Sequence, residues 1–184
     1  MRINNRTPLR AVALAVGRAL AEHGIRAVLT GGACASIHSA GRYMSDDLDF
    51  VLSGRVRVED LDRAMASVGF VREANRYVHP SSNFWVEFPR GPLAVGADLD
   101  VTPIEWKEPA GSALALSATD SCRDRLAAYF HWNDRQSLEV AVAIASQNDV
   151  DLGRIRRWSR GEGHVARFEE FLRELAARPA KQSH

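Results

Sequence analysis

Apolar and polar positions along this chain change their spacing several times, and each change marks an element. Thr7-Pro8 reads as a helix start, a hydroxyl cap followed by proline at the first helical position. The Ala/Val/Leu run at 11–20 is broken by Gly17 and Arg18, which fits an amphipathic helix over 8–22 with Gly24 stopping it. The segment 25–30, IRAVLT, is short and β-rich and reads as a buried strand. Gly31-Gly32 is a turn, 33–39 a short helix, and 47–52 a second strand. Val58, Leu61, Met65 and Val68 recur at helical spacing, which predicts a helix over 58–67 ended by Gly69. Two strands are expected around 70–78 and 84–88, separated by the turn-forming HPSSN at 79–83. Further short strands are expected at 93–95 and 100–106. From Thr119 onward the texture turns helical, with helices predicted over 119–131, 134–146, 151–158 and 164–177 and a frayed RPAKQSH end.

The fold class this order predicts is α+β: a small mixed sheet flanked by helices over 1–111, then a C-terminal helical bundle over 112–184. A chain of 184 residues, 46% hydrophobic and 26% charged, is long enough for such a core. Lys and Arg number 24 against 23 Asp and Glu, so overall charge points to no long nucleic-acid footprint. No apolar run reaches the roughly 20 residues of a membrane span, and no signal-peptide core follows the first charges. A cytoplasmic protein without membrane attachment is expected. Cys34 and Cys122 lack metal-type spacing and read as reduced, buried residues. The histidines show no zinc-type spacing.

The segment 29–52, LTGGACASIHSAGRYMSDDLDFVL, carries the densest chemistry. Glycines at the end of a strand let backbone amides approach phosphate oxygens at the start of the next helix. Ala33 and Ala35 keep that approach open, and Ser36, one turn in, could donate a hydrogen bond. Asp47 and Asp49 stand at i and i+2 of a strand, on one face, with Cα atoms about 6.5 Å apart. Carboxylates so placed can grip hard divalent cations, which neutralise a triphosphate. The same pattern also arises from acids capping a strand end.

Glu87 lies in FWVEF, where alternation puts it on one face with Trp85. A charge within so apolar a strand calls for a partner. Beside 47–52 it becomes a third carboxylate, as general base or metal ligand; on an edge it is solvated. Asp98 and Asp100 form a second Asp-x-Asp pair in a turn-rich segment and are the alternative third acid. Arg42, Arg123 and Arg125 could supply forked donors to phosphate, or form surface ion pairs. Trp132 could stack on a base or anchor helices. Arg154, Arg156, Arg157 and Arg160 around Trp158 form a basic cluster that suits nucleic-acid phosphate or a solvated face.

TGG at 30–32, a short helix and SDDLDFVL at 45–52 resemble the nucleotidyltransferase superfamily of the DNA polymerase β type. Within it the chain looks most like small bacterial proteins grouped with the AbiEii-type nucleotidyltransferase toxins. Arg42 and Ser45 fit the run that opens the second strand in those proteins, with one extra residue between them. The stretch 119–142 is similar to the downstream helices. The resemblance implies that Gly31 and Gly32, with Ser36, Arg42 and Ser45, hold the nucleotide. It implies that Asp47, Asp49 and Glu87 bind Mg2+ or Mn2+ and that Arg123 or Arg125 meets phosphate. The implied activity moves an NMP from an NTP to a hydroxyl of a small molecule, a tRNA end or a protein. The alternative is a catalytically silent binding member of the fold, held by an antitoxin partner. A DxD glycosyltransferase ranks behind both, because it needs a longer nucleotide-binding domain than 1–111 provides.

Overall fold

The computed structural model describes residues 2–178. The expected fraying of 178–184 falls, beyond Arg178, outside the described residues. By contacts the chain divides into two units. The first comprises 1–34, 44–93 and 102–116, the second 35–43, 94–101 and 117–184.

The first unit opens with α1 (Leu9–Glu22) and β1 (Ala27–Thr30). It also contains the start of α2 (Gly31–His38), then β2 (Asp47–Leu52), α3 (Val58–Ala66) and the hairpin β3 (Val71–Glu73) and β4 (Arg76–Val78). β5 (Trp85–Glu87), β6 (Ile104–Glu108) and β7 (Gly111–Ala115) complete it. The described strands form one mixed sheet in the order β3-β4-β5-β2-β1-β7-β6. β1 runs antiparallel to β2 and parallel to β7, and β2 runs parallel to β5.

Register sorts the side chains by face. Leu29 pairs with Phe50, and Leu48, Val86 and Tyr77 pair across β2, β5 and β4. All five are buried, and this is the core face. Phe88 joins it, edge-on to Tyr77 with centroids 5.5 Å apart. α1 packs on β7 so closely that a Cβ on Gly17 would lie 2.6 Å from the Ser112 carbonyl oxygen; glycine there lets helix and strand meet. The opposite face of the central strands carries Thr30, Asp47, Asp49, Trp85 and Glu87, all half-buried.

The second unit is built on α4 (Ala118–Trp132), α5 (Arg135–Gln147), α6 (Leu152–Gly161) and α7 (Val165–Ala176). Each of the first three starts where a side chain accepts the amides a helix start leaves unpaired: Ser117, Asp134 and Asp151. Leu126, Phe130, Ile144, Ile155, Trp158, Phe168 and Phe171 fill its core. The segment 94–101 is tied into this unit. The Trp158 indole donates to the Val95 carbonyl at 3.2 Å, Glu162 accepts from the Ala97 amide at 2.8 Å, and Arg154 donates to the Asp100 carbonyl at 2.8 Å.

The mixed sheet with flanking helices matches the expected fold class. Several details differ. Pro8, in an extended conformation, occupies the cap position of α1, and the Thr7 hydroxyl instead accepts from the Asn4 amide. α2 begins at Gly31 itself, so the glycines are its first turn rather than a turn before it. The strand expected over 70–78 is folded into β3 and β4 around Ala74, which has positive φ. In place of a strand at 93–95, Val95 forms a single bridge to Asp98; the strand expected over 100–106 is found shifted to 104–108 as β6, paired with β7 in a hairpin. β7, GSALA, is a strand that the sequence pattern does not predict, because its small residues carry as much helical as strand propensity. α4 is capped by Ser117 rather than Thr119 or Asp120. Trp132 is 76% exposed, which overturns the expectation of a core anchor.

Candidate functional site

The end of β1 delivers the chain into α2 through Gly31, whose φ of +62° lies in the left-handed region that favours glycine. Residue 31 faces the second strand at close range. A Cβ there would overlap the Asp49 carboxylate and stand 3.2 Å from its Cγ. Thr30 is the cross-strand partner of Asp49. The diglycine start of α2 and the second acid of the Asp-x-Asp pair thus share one spot. Gly31→Ala combines a disfavoured backbone conformation with this overlap. It should lower stability by about 1–3 kcal/mol, read as a fall in the thermal midpoint, and displace Asp49.

Asp47 lies on the same face, two residues before Asp49. The Ser45 hydroxyl, itself buried, donates to its carboxylate. On the neighbouring parallel strand, Trp85 pairs with Asp47 and Glu87 with Asp49. Three carboxylates therefore occupy one face of two adjacent strands. Glu87 is turned along its own strand: the Trp85 Nε1–H donates to its Oε1 at 3.2 Å. Arg76 pairs with Glu87 across β4 and β5, and its guanidinium sits 5.3 Å from the Trp85 ring centre. As placed, no three His, Cys, Asp or Glu side chains among the described residues converge into a group that could hold one metal ion. The donor set is all oxygen, the kind that suits Mg2+ or Mn2+. Gly31 leaves room beside Asp49, and Glu87 stands one strand away in register. The chemistry of the donor set and the room left by Gly31 fit such a cation, while Glu87 as placed does not converge with the two aspartates.

The sequence-derived candidates thus divide. Gly31, Gly32, Ser45, Asp47, Asp49 and Glu87 belong to the sheet unit, whereas Ser36, Arg42, Arg123 and Arg125 belong to the helical unit. The Ser36 hydroxyl donates to the Tyr43 carbonyl at 2.6 Å, tying the loop after α2. Arg42 is exposed in that loop. Arg125 pairs with Asp124 at 2.6 Å. Arg123 is fully buried, 2.7 Å from Asp120, also paired with Asp98, and 5.1 Å from the Trp158 ring centre. A guanidinium enclosed and paired in this way is a structural post and offers no open face to a phosphate. Asp98 is spent on the same post. The Asp100 amide, 2.8 Å away, and then Arg123 hold its carboxyl below the usual range. Alternation places Trp85 on the Glu87 face, but neither the indole bond nor Arg76 follows from it. The register of β4 on β5, which are joined through residues 79–84, sets Arg76 opposite Glu87, and local spacing does not fix that register.

No protein-family profile matches the chain, and no curated protein matches it in sequence. Among solved structures, it is similar to an antigenic nucleotidyltransferase-like protein from Paracoccidioides brasiliensis. The TM-score is 0.59 at 14% identity, over 97% of this chain and 96% of that one. Two structures of ANT(2'')-Ia are more distant. A solution structure of this antibiotic-resistance factor gives a TM-score of 0.46 at 13% identity, over 92% of each chain. A crystal structure with adenylyl-2''-tobramycin gives 0.47 at 14%, over 88% of this chain and 97% of that one. The fold is that of nucleotidyltransferase-like proteins. No helix among the described residues is long and apolar enough to cross a membrane.

Proposed function

We propose that this protein is a metal-dependent nucleotidyltransferase that moves an NMP from an NTP to an acceptor hydroxyl. The observation that carries the reading is the meeting of Asp49 with Gly31, with Asp47 on the same face and Glu87 in register beside them. The first-turn amides of α2 would bind the triphosphate, aided by the positive end of the helix. Asp47 and Asp49 would hold the divalent cation, with Glu87 as the third acid. The cation would offset phosphate charge and favour loss of the acceptor's proton. The acceptor oxygen attacks the α-phosphorus in line. The new P–O bond forms as the bond to the β-phosphate bridging oxygen breaks, pyrophosphate leaves, and Glu87 receives the proton. Positioning and charge neutralisation supply most of the acceleration.

One observation favours a second reading. Glu87 is bonded to Trp85 and not gathered with the aspartates, which suits a chain that binds nucleotide or a partner without turnover. A toxin-like protein held by an antitoxin is one form of it. Incubation with each α-labelled NTP, Mg2+ and total RNA or cell lysate separates the two. The transferase reading expects pyrophosphate release and a labelled small-molecule, RNA or protein pool, abolished by EDTA. Nucleotide binding with no label transferred would establish the silent reading.

A further inference from the structure

Asp49 and Glu87 face each other directly across two neighbouring strands, and like charges so placed repel. Two groups on the Glu87 side offset that repulsion. The Trp85 indole N–H takes the Glu87 carboxylate at 3.2 Å, and Arg76, its partner across β4, lies over the Trp85 ring. Trp85 itself stands opposite Asp47, so the bond draws Glu87 along its own strand and away from a shared point with both aspartates.

We propose that Trp85 is a positioning residue that stores the third carboxylate. It holds Glu87 aside while no cation is present and must release it when the cation binds. This rests on the metal-dependent reading above. Loading would then exchange the indole bond for a ligand bond, so that metal affinity is set partly by the Trp85 indole. Arg76 steadies the ring, so the device spans β4 and β5.

The test uses Mn2+ titrations of the full chain, followed by the resonance of free Mn2+, without nucleotide. Trp85→Phe keeps a ring beneath Arg76 and removes the N–H. It should tighten Mn2+ binding by roughly three- to tenfold, the range of a modest hydrogen bond no longer broken on loading. In a Glu87→Gln background the same substitution should change nothing. In the unaltered protein with 15N-labelled indoles, Mg2+ should move the Trp85 N–H resonance upfield as its bond is lost; this decides the matter even if Trp85→Phe folds poorly. Unchanged or weaker Mn2+ binding by Trp85→Phe, equal tightening with Glu87→Gln, or an unmoved indole resonance at saturating Mg2+ would overturn the storage role. If Asp47→Asn still abolishes Mn2+ binding in that case, the metal site itself stands. If the unaltered protein binds no Mn2+, both proposals fall.

Discussion

Asp47→Asn is expected to lower NMP transfer by about 100-fold or more, with Asp49→Asn close behind. A loss of that size is about 2.7 kcal/mol of transition-state stabilisation. Asparagine keeps the volume and one oxygen of the acid, and the Ser45 hydroxyl that donates to Asp47 retains an acceptor. The change therefore removes charge and leaves packing nearly intact. Both acids lie half-buried on the face of β2 opposite the one that carries Leu48 and Phe50. The thermal midpoint should consequently stay close to that of the unaltered chain. Removing one of two neighbouring like charges can even raise it slightly. Initial-rate pyrophosphate release, beside a melting curve, checks both halves. Undiminished turnover in Asp47→Asn would remove the catalytic assignment.

The largest stability effect is expected at Arg123→Met, a cost of about 3–5 kcal/mol and a drop in melting midpoint of roughly 10 °C. The Arg123 side chain is 0% exposed and joins Asp120 on α4 to Asp98 in the tied-down segment 94–101. Methionine fills much of the space but leaves the buried Asp120 with Arg154, 3.2 Å away, and Ser117 as its remaining partners. The pH profile gives an independent check. The carboxyl of Asp98 is lowered in the folded state, by the Asp100 amide first and by Arg123 after it. A lowered carboxyl contributes stability that is present above its unfolded value, near 3.9. That stability is lost as pH falls through the folded value. The unaltered protein should therefore lose stability below about pH 4, and Arg123→Met should lose less over the same interval. A midpoint unmoved by the substitution would show that the ion-pair post does not hold the helical unit together.

Much of the site was legible because it rests on local rules. Alternation alone put Asp47 and Asp49 on one face of β2, and put Glu87 with Trp85 on one face of β5. Helix caps were legible where a short acid stood before an apolar repeat, as at Asp134 and Asp151. Arg123 and Arg125 were not separable in the same way. Two residues apart on one helix, they have the same chemistry in the sequence, yet one is sealed in the core and the other, half-buried, pairs with its half-buried neighbour Asp124. Burial of an arginine depends on which carboxylates other segments bring to it, and Asp98 comes from 25 residues away.

By itself the amino-acid order determined the pattern-borne features: an α+β chain, a diglycine break between a strand and a short helix, an acid pair facing out of a strand and a helical second half. These follow from periodicity, capping and backbone freedom, which act within a few residues. Tertiary structure alone decided that β5 lies beside β2 in a register that sets Glu87 against Asp49, that Gly31 meets the Asp49 carboxylate, and that Trp85 takes hold of Glu87. Strand neighbours and side-chain bonds depend on how distant segments pack together, and no local spacing encodes which of them will meet.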